Sequence, residues 1–136
     1  MNTDLSSNGA TAAPAPILVV DDEDETRGEL REALASQERE VIEAANGREA
    51  LELLTSGRIP EPCVILLDLR MPVMSGWEFL SILRSYHRLS RIPVIVLSGV
   101  TDGYAETNPP SVIRLKKPFT ADLLLESVAA SISERA

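Results

Sequence analysis

Five short apolar runs, separated by segments of helical periodicity, constrain this chain more than any other feature of its sequence. They are Ile17–Val20, Glu40–Ala44, Cys63–Leu67, Pro93–Leu97 and Val112–Leu115, and three of them are almost continuously apolar. A strand with one wet face alternates apolar and polar residues, whereas an unbroken run of Val, Ile and Leu suits a parallel strand covered on both faces. The intervening segments supply the cover. Glu23–Ser36 sets Leu30, Ala33 and Leu34 on one side, Asn46–Ser56 does so with Ala50, Leu51 and Leu54 before closing at Gly57, and Ser75–His87 carries Phe79, Leu80 and Leu83. After Thr120, a suitable N-cap, Leu124, Val128 and Ile132 recur at four-residue spacing. With right-handed crossovers this order gives an α/β fold, an open doubly wound parallel sheet with helices on both faces. One element is weak. Val100–Ser111 contains Gly103, Asn108, Pro109 and Pro110 and no apolar stripe, so a short helix or an irregular loop is expected there.

Size and charge narrow the function. A chain of 136 residues with 44% hydrophobic content fits one domain with a real core. Residues 1–16 lack large apolar side chains apart from Met1 and Leu5 and are expected to form a mobile tail, leaving 17–136 as the folded domain. The net charge of −8, from 21 acidic against 13 basic residues, argues against direct nucleic-acid binding, which works by neutralising phosphates. The single cysteine, Cys63, lies in an apolar run and reads as a small core residue. No stretch approaches the roughly 20 apolar residues of a membrane span, and the N-terminus lacks the pattern of a secretory signal. A cytoplasmic, reducing location is the expectation.

In doubly wound sheets ligands gather outside the carboxyl ends of the strands. Those ends carry Asp21 and Asp22 after the first run, Asp68 after the third, Ser98 after the fourth and Lys117 beyond the fifth. Each residue taken singly has an ordinary reading. The acids from Asp21 to Glu25 suit a helix N-terminus or a solvated surface, Asp68 a cap, Ser98 a turn, and Lys117 plain exposure. Their joint arrival at strand ends favours a site. Three carboxylates together repel one another unless a divalent cation compensates them, and an oxygen-only ligand set favours magnesium, with manganese as the alternative, over zinc. Such a cation beside Asp68 suits phosphoryl transfer to that carboxylate, with Ser98 and Lys117 contacting the other phosphoryl oxygens.

Four segments resemble the signature segments of response-regulator receiver domains: ILVVDDE from Ile17 to Glu23, DLRMPVMSG from Asp68 to Gly76, VIVLS from Val94 to Ser98, and KPF from Lys117 to Phe119. Their order and spacing match across roughly residues 17 to 134, and the Asp68–Gly76 segment is the most specific. The resemblance implies a flavodoxin-like fold with strand order 2-1-3-4-5 and a stand-alone receiver in a two-component or phosphorelay system. Its phosphodonor would be a histidine kinase or histidine phosphotransfer protein, and it would signal through a downstream protein target as a monomer or weak dimer. Residue by residue it implies Asp68 as phosphoacceptor and metal ligand, Asp22 and the main-chain carbonyl of Arg70 as direct metal ligands, and Asp21 as a ligand through water. Ser98 would be the switch hydroxyl, Lys117 the ion-pair partner of the phosphoryl group, and the peptide before Pro118 would be cis. Met71 and Met74 read as core, Trp77 as packing and His87 as surface.

Three departures from the family pattern stand out. Arg114 occupies the position where a Tyr or Phe commonly swings inward, Gly99 follows Ser98 where Ala is common, and the stretch from Ser98 to Lys117 is short. These differences predict that signalling does not run through the usual dimer face. Arg70 and Val100, near the path of hydrolytic water, are not obvious water-activating groups, which predicts a persistent phosphoryl group. An aspartyl-phosphate phosphatase is the rival enzyme reading, but it would place an Asp-x-Asp motif after the first strand, where this chain has adjacent aspartates. A degenerate receiver serving only as a binding module is disfavoured by the complete acidic trio with Ser98 and Lys117. Neither a phosphate loop for a flavin nor a Gly-x-Ser-x-Gly elbow is present.

Overall fold

The computed structural model describes residues 14–99 and 112–135. Its strands are β1 (Ile17–Val20), β2 (Val41–Ala44), β3 (Val64–Asp68), β4 (Val94–Ser98) and β5 (Val112–Lys116). The helices among the described residues are α1 (Asp24–Ala33), α2 (Gly47–Ser56), α3 (Gly76–Ser85) and α4 (Ala121–Arg135). All strand pairs are parallel, in the order β2-β1-β3-β4-β5. The doubly wound architecture and strand order expected from the sequence are thus observed. The doubtful segment 100–111 and most of the expected tail, 1–13, lie outside the described residues. At the start of the described residues the Pro16 carbonyl accepts from the Cys63 N–H at 2.9 Å and the Ala15 carbonyl from Arg39 Nη1 at 2.9 Å.

Local chemistry sets the helix ends. Asn46 accepts the Glu49 N–H at 2.9 Å, and Thr120 Oγ1 accepts the Leu123 N–H at 3.1 Å. Ser75 and Glu78 form a reciprocal capping box at the start of α3, which occupies two donors that the helix itself cannot satisfy. Gly57 closes α2 at φ 77°, a left-handed conformation that glycine adopts without a Cβ penalty. Helix α1 stops at Ala33, short of the expected Ser36, and a 3₁₀ turn over Ala35–Gln37 follows. That turn leads into Glu38 at φ 55° and redirects the chain toward β2 while Leu34 stays fully buried.

The unbroken apolar runs are explained by the two-sided core. Leu18 and Val20 of β1, Ile65 and Leu67 of β3, and Val94 and Val96 of β4 pack with Phe79, Leu80 and Leu83 of α3 and Ala50 and Leu54 of α2. The alternate residues Ile17, Val19, Val64, Leu66, Ile95 and Leu97 pack on the other face with Leu30 of α1 and Leu124 and Val128 of α4. Successive side chains of a strand point to opposite faces, so a strand with helices on both sides needs apolar residues at every position. Cys63 and Met71 are buried, and Met74 and Trp77 pack against the α2–α3 side of the core, whereas His87 is exposed. Among the described residues no helix is long and apolar enough to cross a membrane.

Candidate functional site

The strand alternation that fills the core also aims the acids. Asp68 follows Val64 and Leu66 on the α1–α4 face, and Asp21 follows Ile17 and Val19 on the same face one strand away. Strands β1 and β3 are neighbours because the chain crosses over through β2 at the sheet edge, so residues far apart in sequence meet at the carboxyl edge. Carboxylate oxygens of Asp21, Asp22 and Asp68 lie within 4.8 Å of one another. Asp21 and Asp68 are only 1% and 5% exposed, while Asp22 faces solvent.

The acids are incompletely satisfied. Asp21 Oδ1 accepts the Glu23 N–H at 2.9 Å, but Asp21 Oδ2 is buried with no hydrogen-bond partner among the described residues. Burial pushes the Asp21 carboxyl up to about 6, and the charges of Asp68 and Asp22 add to the effect against the Glu23 N–H and Lys117. Asp68 is also raised, by burial first, with Lys117 opposing. Its Oδ1 accepts the Arg70 N–H at 3.3 Å and lies 3.5 Å from Lys117 Nζ. Among the described residues, one ammonium against three clustered carboxylates leaves the site short of positive charge. An orphaned carboxylate oxygen beside two further oxygen donors fits a hard divalent cation, whose preferred ligands are carboxylates and carbonyls.

Backbone contacts hold this arrangement. Gly76 approaches the end of β3 so closely that a Cβ there would lie 2.6 Å from the Asp68 carbonyl oxygen and from Leu69 Cα, and its N–H donates to the Leu69 carbonyl at 3.0 Å. The Lys117 N–H donates to the Ser98 carbonyl at 2.7 Å, and the Lys117–Pro118 peptide is cis. The Arg70 side chain is exposed.

Ser98 is fully buried at the end of β4, and its hydroxyl accepts from Arg114 Nε at 2.9 Å. Val100, the other residue placed near the site by resemblance, lies outside the described residues. Two contacts escaped sequence reasoning. One is this Arg114–Ser98 bond, and the other is Arg27, whose Nη1 donates to the Asp21 carbonyl at 2.6 Å while Nε donates to Glu43 at 3.0 Å. Arg27 also pairs with Asp24, and Arg31 with Glu43. The only sequence trace of this cluster is the Asp24–Arg27 spacing on one helix face.

Comparison with known proteins matches residues 17–129 to a family described as the response regulator receiver domain. Among its relatives, the two-component response regulator ORR5 of Oryza sativa subsp. japonica is 32% identical over 126 residues, covering 92% of this chain and 88% of the relative. The sensor histidine kinase CheAY of Helicobacter pylori is 32% identical over 120 residues, which are 85% of this chain and 15% of that protein. The solved structure of the Vibrio cholerae chemotaxis protein CheY4 matches with a TM-score of 0.71 and 31% identity over 88% of this chain and 99% of that one. A response regulator receiver protein from Sinorhizobium medicae matches with a TM-score of 0.76 at 26% identity, over 90% of this chain and 97% of that one.

Proposed function

This chain belongs to the response regulator receiver domain family, and from that premise we propose that it is a signalling switch that takes a phosphoryl group onto Asp68. The observation that carries the reading is the Asp68 carboxylate itself, buried between the acids of β1 and the Lys117 ammonium. An oxygen of Asp68 attacks the phosphorus of the donor, an O–P bond forms, and the bond to the leaving group breaks with its electron pair going to that group. A carboxylate attacks in its ionised form and needs no general base, and Lys117 opposes the rise that burial imposes on Asp68.

Asp21, Asp22 and Asp68, with the main-chain carbonyl of Arg70, would hold magnesium, or manganese in its place, with Asp21 contributing through water. When bound, the ion supplies positive charge against the carboxylates and the phosphoryl oxygens. Lys117 pairs with the phosphoryl group, and the Ser98 hydroxyl donates to one of its oxygens. The donor is a histidine kinase or a histidine phosphotransfer protein, the output a contact with a downstream protein, and the setting cytoplasmic. Arg70 and Val100 are not water-activating residue types, and in this reading the phosphoryl group persists until water or a partner removes it.

Intact-protein mass after incubation with a small phosphodonor and magnesium tests this reading. A phosphoryl-sized gain that disappears in Asp68→Ala and in chelator is expected. No gain from wild type with several donors, or a gain that survives Asp68→Ala, would overturn it.

A further inference from the structure

We propose that Arg114 is a positioning residue for phosphoryl transfer, holding the Ser98 hydroxyl as a hydrogen-bond donor toward an aspartyl phosphate on Asp68. The proposal rests on the phosphoacceptor reading of Asp68 and adds a residue to it.

Ser98 ends β4 one residue beyond Leu97, which is the register partner of Asp68. Ser98 therefore ends the strand next to the one that carries the phosphoacceptor, one residue past its register partner. On the other side β5 pairs Arg114 with Val96 and Lys116 with Ser98. Arg114 and Ser98 are thus diagonal neighbours on one sheet face, which lies within reach of a long side chain. The Arg114 Nε–H spans that diagonal and donates to Ser98 Oγ at 2.9 Å.

A hydroxyl offers one proton and two lone pairs. Arg114 occupies a lone pair, and Ser98 Oγ has no other hydrogen bond among the described residues, so its proton is left for a further acceptor. The donor is a permanent cation, since guanidinium does not deprotonate in proteins. It draws density from the hydroxyl oxygen and strengthens that hydroxyl as a donor to an anion. The main chain of Ser98 is held as well, by the Lys117 N–H on its carbonyl at 2.7 Å. The residues from 114 to 117 therefore hold Ser98 at its carbonyl and at its hydroxyl, while the Lys117 ammonium lies on Asp68. Arg114 itself is exposed, so replacing it does not open the core.

The test compares wild type with Arg114→Met, Arg114→Lys, Ser98→Ala and the Ser98→Ala/Arg114→Met double variant. The rate of mass gain from a small phosphodonor in saturating magnesium is measured for each. Nitrogen-15 spectra of the Arg114 Nε–H group are recorded before and after phosphorylation. Arg114→Met should slow phosphorylation by about tenfold, the effect of one charge-assisted hydrogen bond at a partly exposed site. Arg114→Lys should recover only part of that loss, since an ammonium lacks the Nε–H geometry. The double variant should be no slower than Ser98→Ala, and the Nε–H resonance should shift on phosphorylation in wild type but not in Ser98→Ala. A wild-type rate for Arg114→Met, full additivity in the double variant, or an unmoved resonance would overturn the proposal while leaving the phosphoacceptor reading intact. Failure of wild type itself to gain mass would remove both.

Discussion

Replacing Asp21 by asparagine is expected to stabilise the metal-free fold while disabling the site. Asp21 is 1% exposed, its Oδ2 has no partner among the described residues, and its carboxyl is pushed up to about 6 from an ordinary 3.8. The folded state therefore binds this proton more tightly than the unfolded chain does. Stability contributed by the group is intact below 3.8, falls as pH rises toward about 6, and is lost above it. At about 1.4 kcal/mol per pH unit, the ionised carboxylate costs the metal-free fold about 3 kcal/mol at neutral pH. Asparagine keeps an Oδ1 acceptor for the Glu23 N–H and places an NH₂ group where the buried Oδ2 now stands. In chelator at neutral pH, Asp21→Asn should exceed wild type by about 2–3 kcal/mol in urea unfolding, or roughly 10 °C in Tm. The gap should close toward pH 4. It should also narrow in magnesium, since a ligand at about 100 times its Kd adds about 2.7 kcal/mol to the form that binds it. An Asp21→Asn protein no more stable than wild type in chelator at neutral pH, or a gap unchanged at pH 4, would refute the argument.

Three further outcomes are expected. Gly76→Ala puts a Cβ 2.6 Å from backbone atoms at Asp68 and Leu69, so the end of β3 must shift. Unfolding should show a loss of about 2–3 kcal/mol, and phosphorylation of the surviving folded protein should slow. Val73 is 72% exposed at φ 71°, inside a γ-turn closed by the Met74 N–H on the Pro72 carbonyl at 2.7 Å. Val73→Gly relieves that conformation with little packing to lose, and a gain of about 1 kcal/mol should appear in thermal melts. Arg27→Met removes the bonds to the Asp21 carbonyl and Glu43. Denaturant titration should show a loss of about 1–2 kcal/mol, and magnesium should bind more weakly as the end of β1 loosens.

The parallel sheet was legible in the sequence because the requirement behind it is local. Runs such as Ile17–Val20 and Val64–Leu67 are apolar at every position, and only burial on both faces satisfies them. The caps at Asn46, Ser75 and Thr120 and the stop at Gly57 were legible for the same reason, since each acts within one helical turn. So were the strand-end acids, because a strand's last residue lies at the sheet edge wherever that strand is placed. The early end of α1 was not legible. The Leu30, Ala33, Leu34 pattern continues helically past Ala33, and the turn that diverts it answers to where β2 must start.

The sequence by itself determined the layers, the strand ends and the chemical types that meet there, all consequences of side-chain period and backbone propensity within a few residues. Only the tertiary structure decided which of those groups touch. That Asp21 keeps a buried oxygen without a partner, that Lys117 falls on Asp68, that Arg27 reaches the Asp21 carbonyl and that Arg114 grips Ser98 depend on register across β1, β3, β4 and β5. Register and burial are properties of strands brought together from distant parts of the chain. A carboxylate's proton affinity follows from that assembly, because desolvation and neighbouring charge exist only once the strands have met.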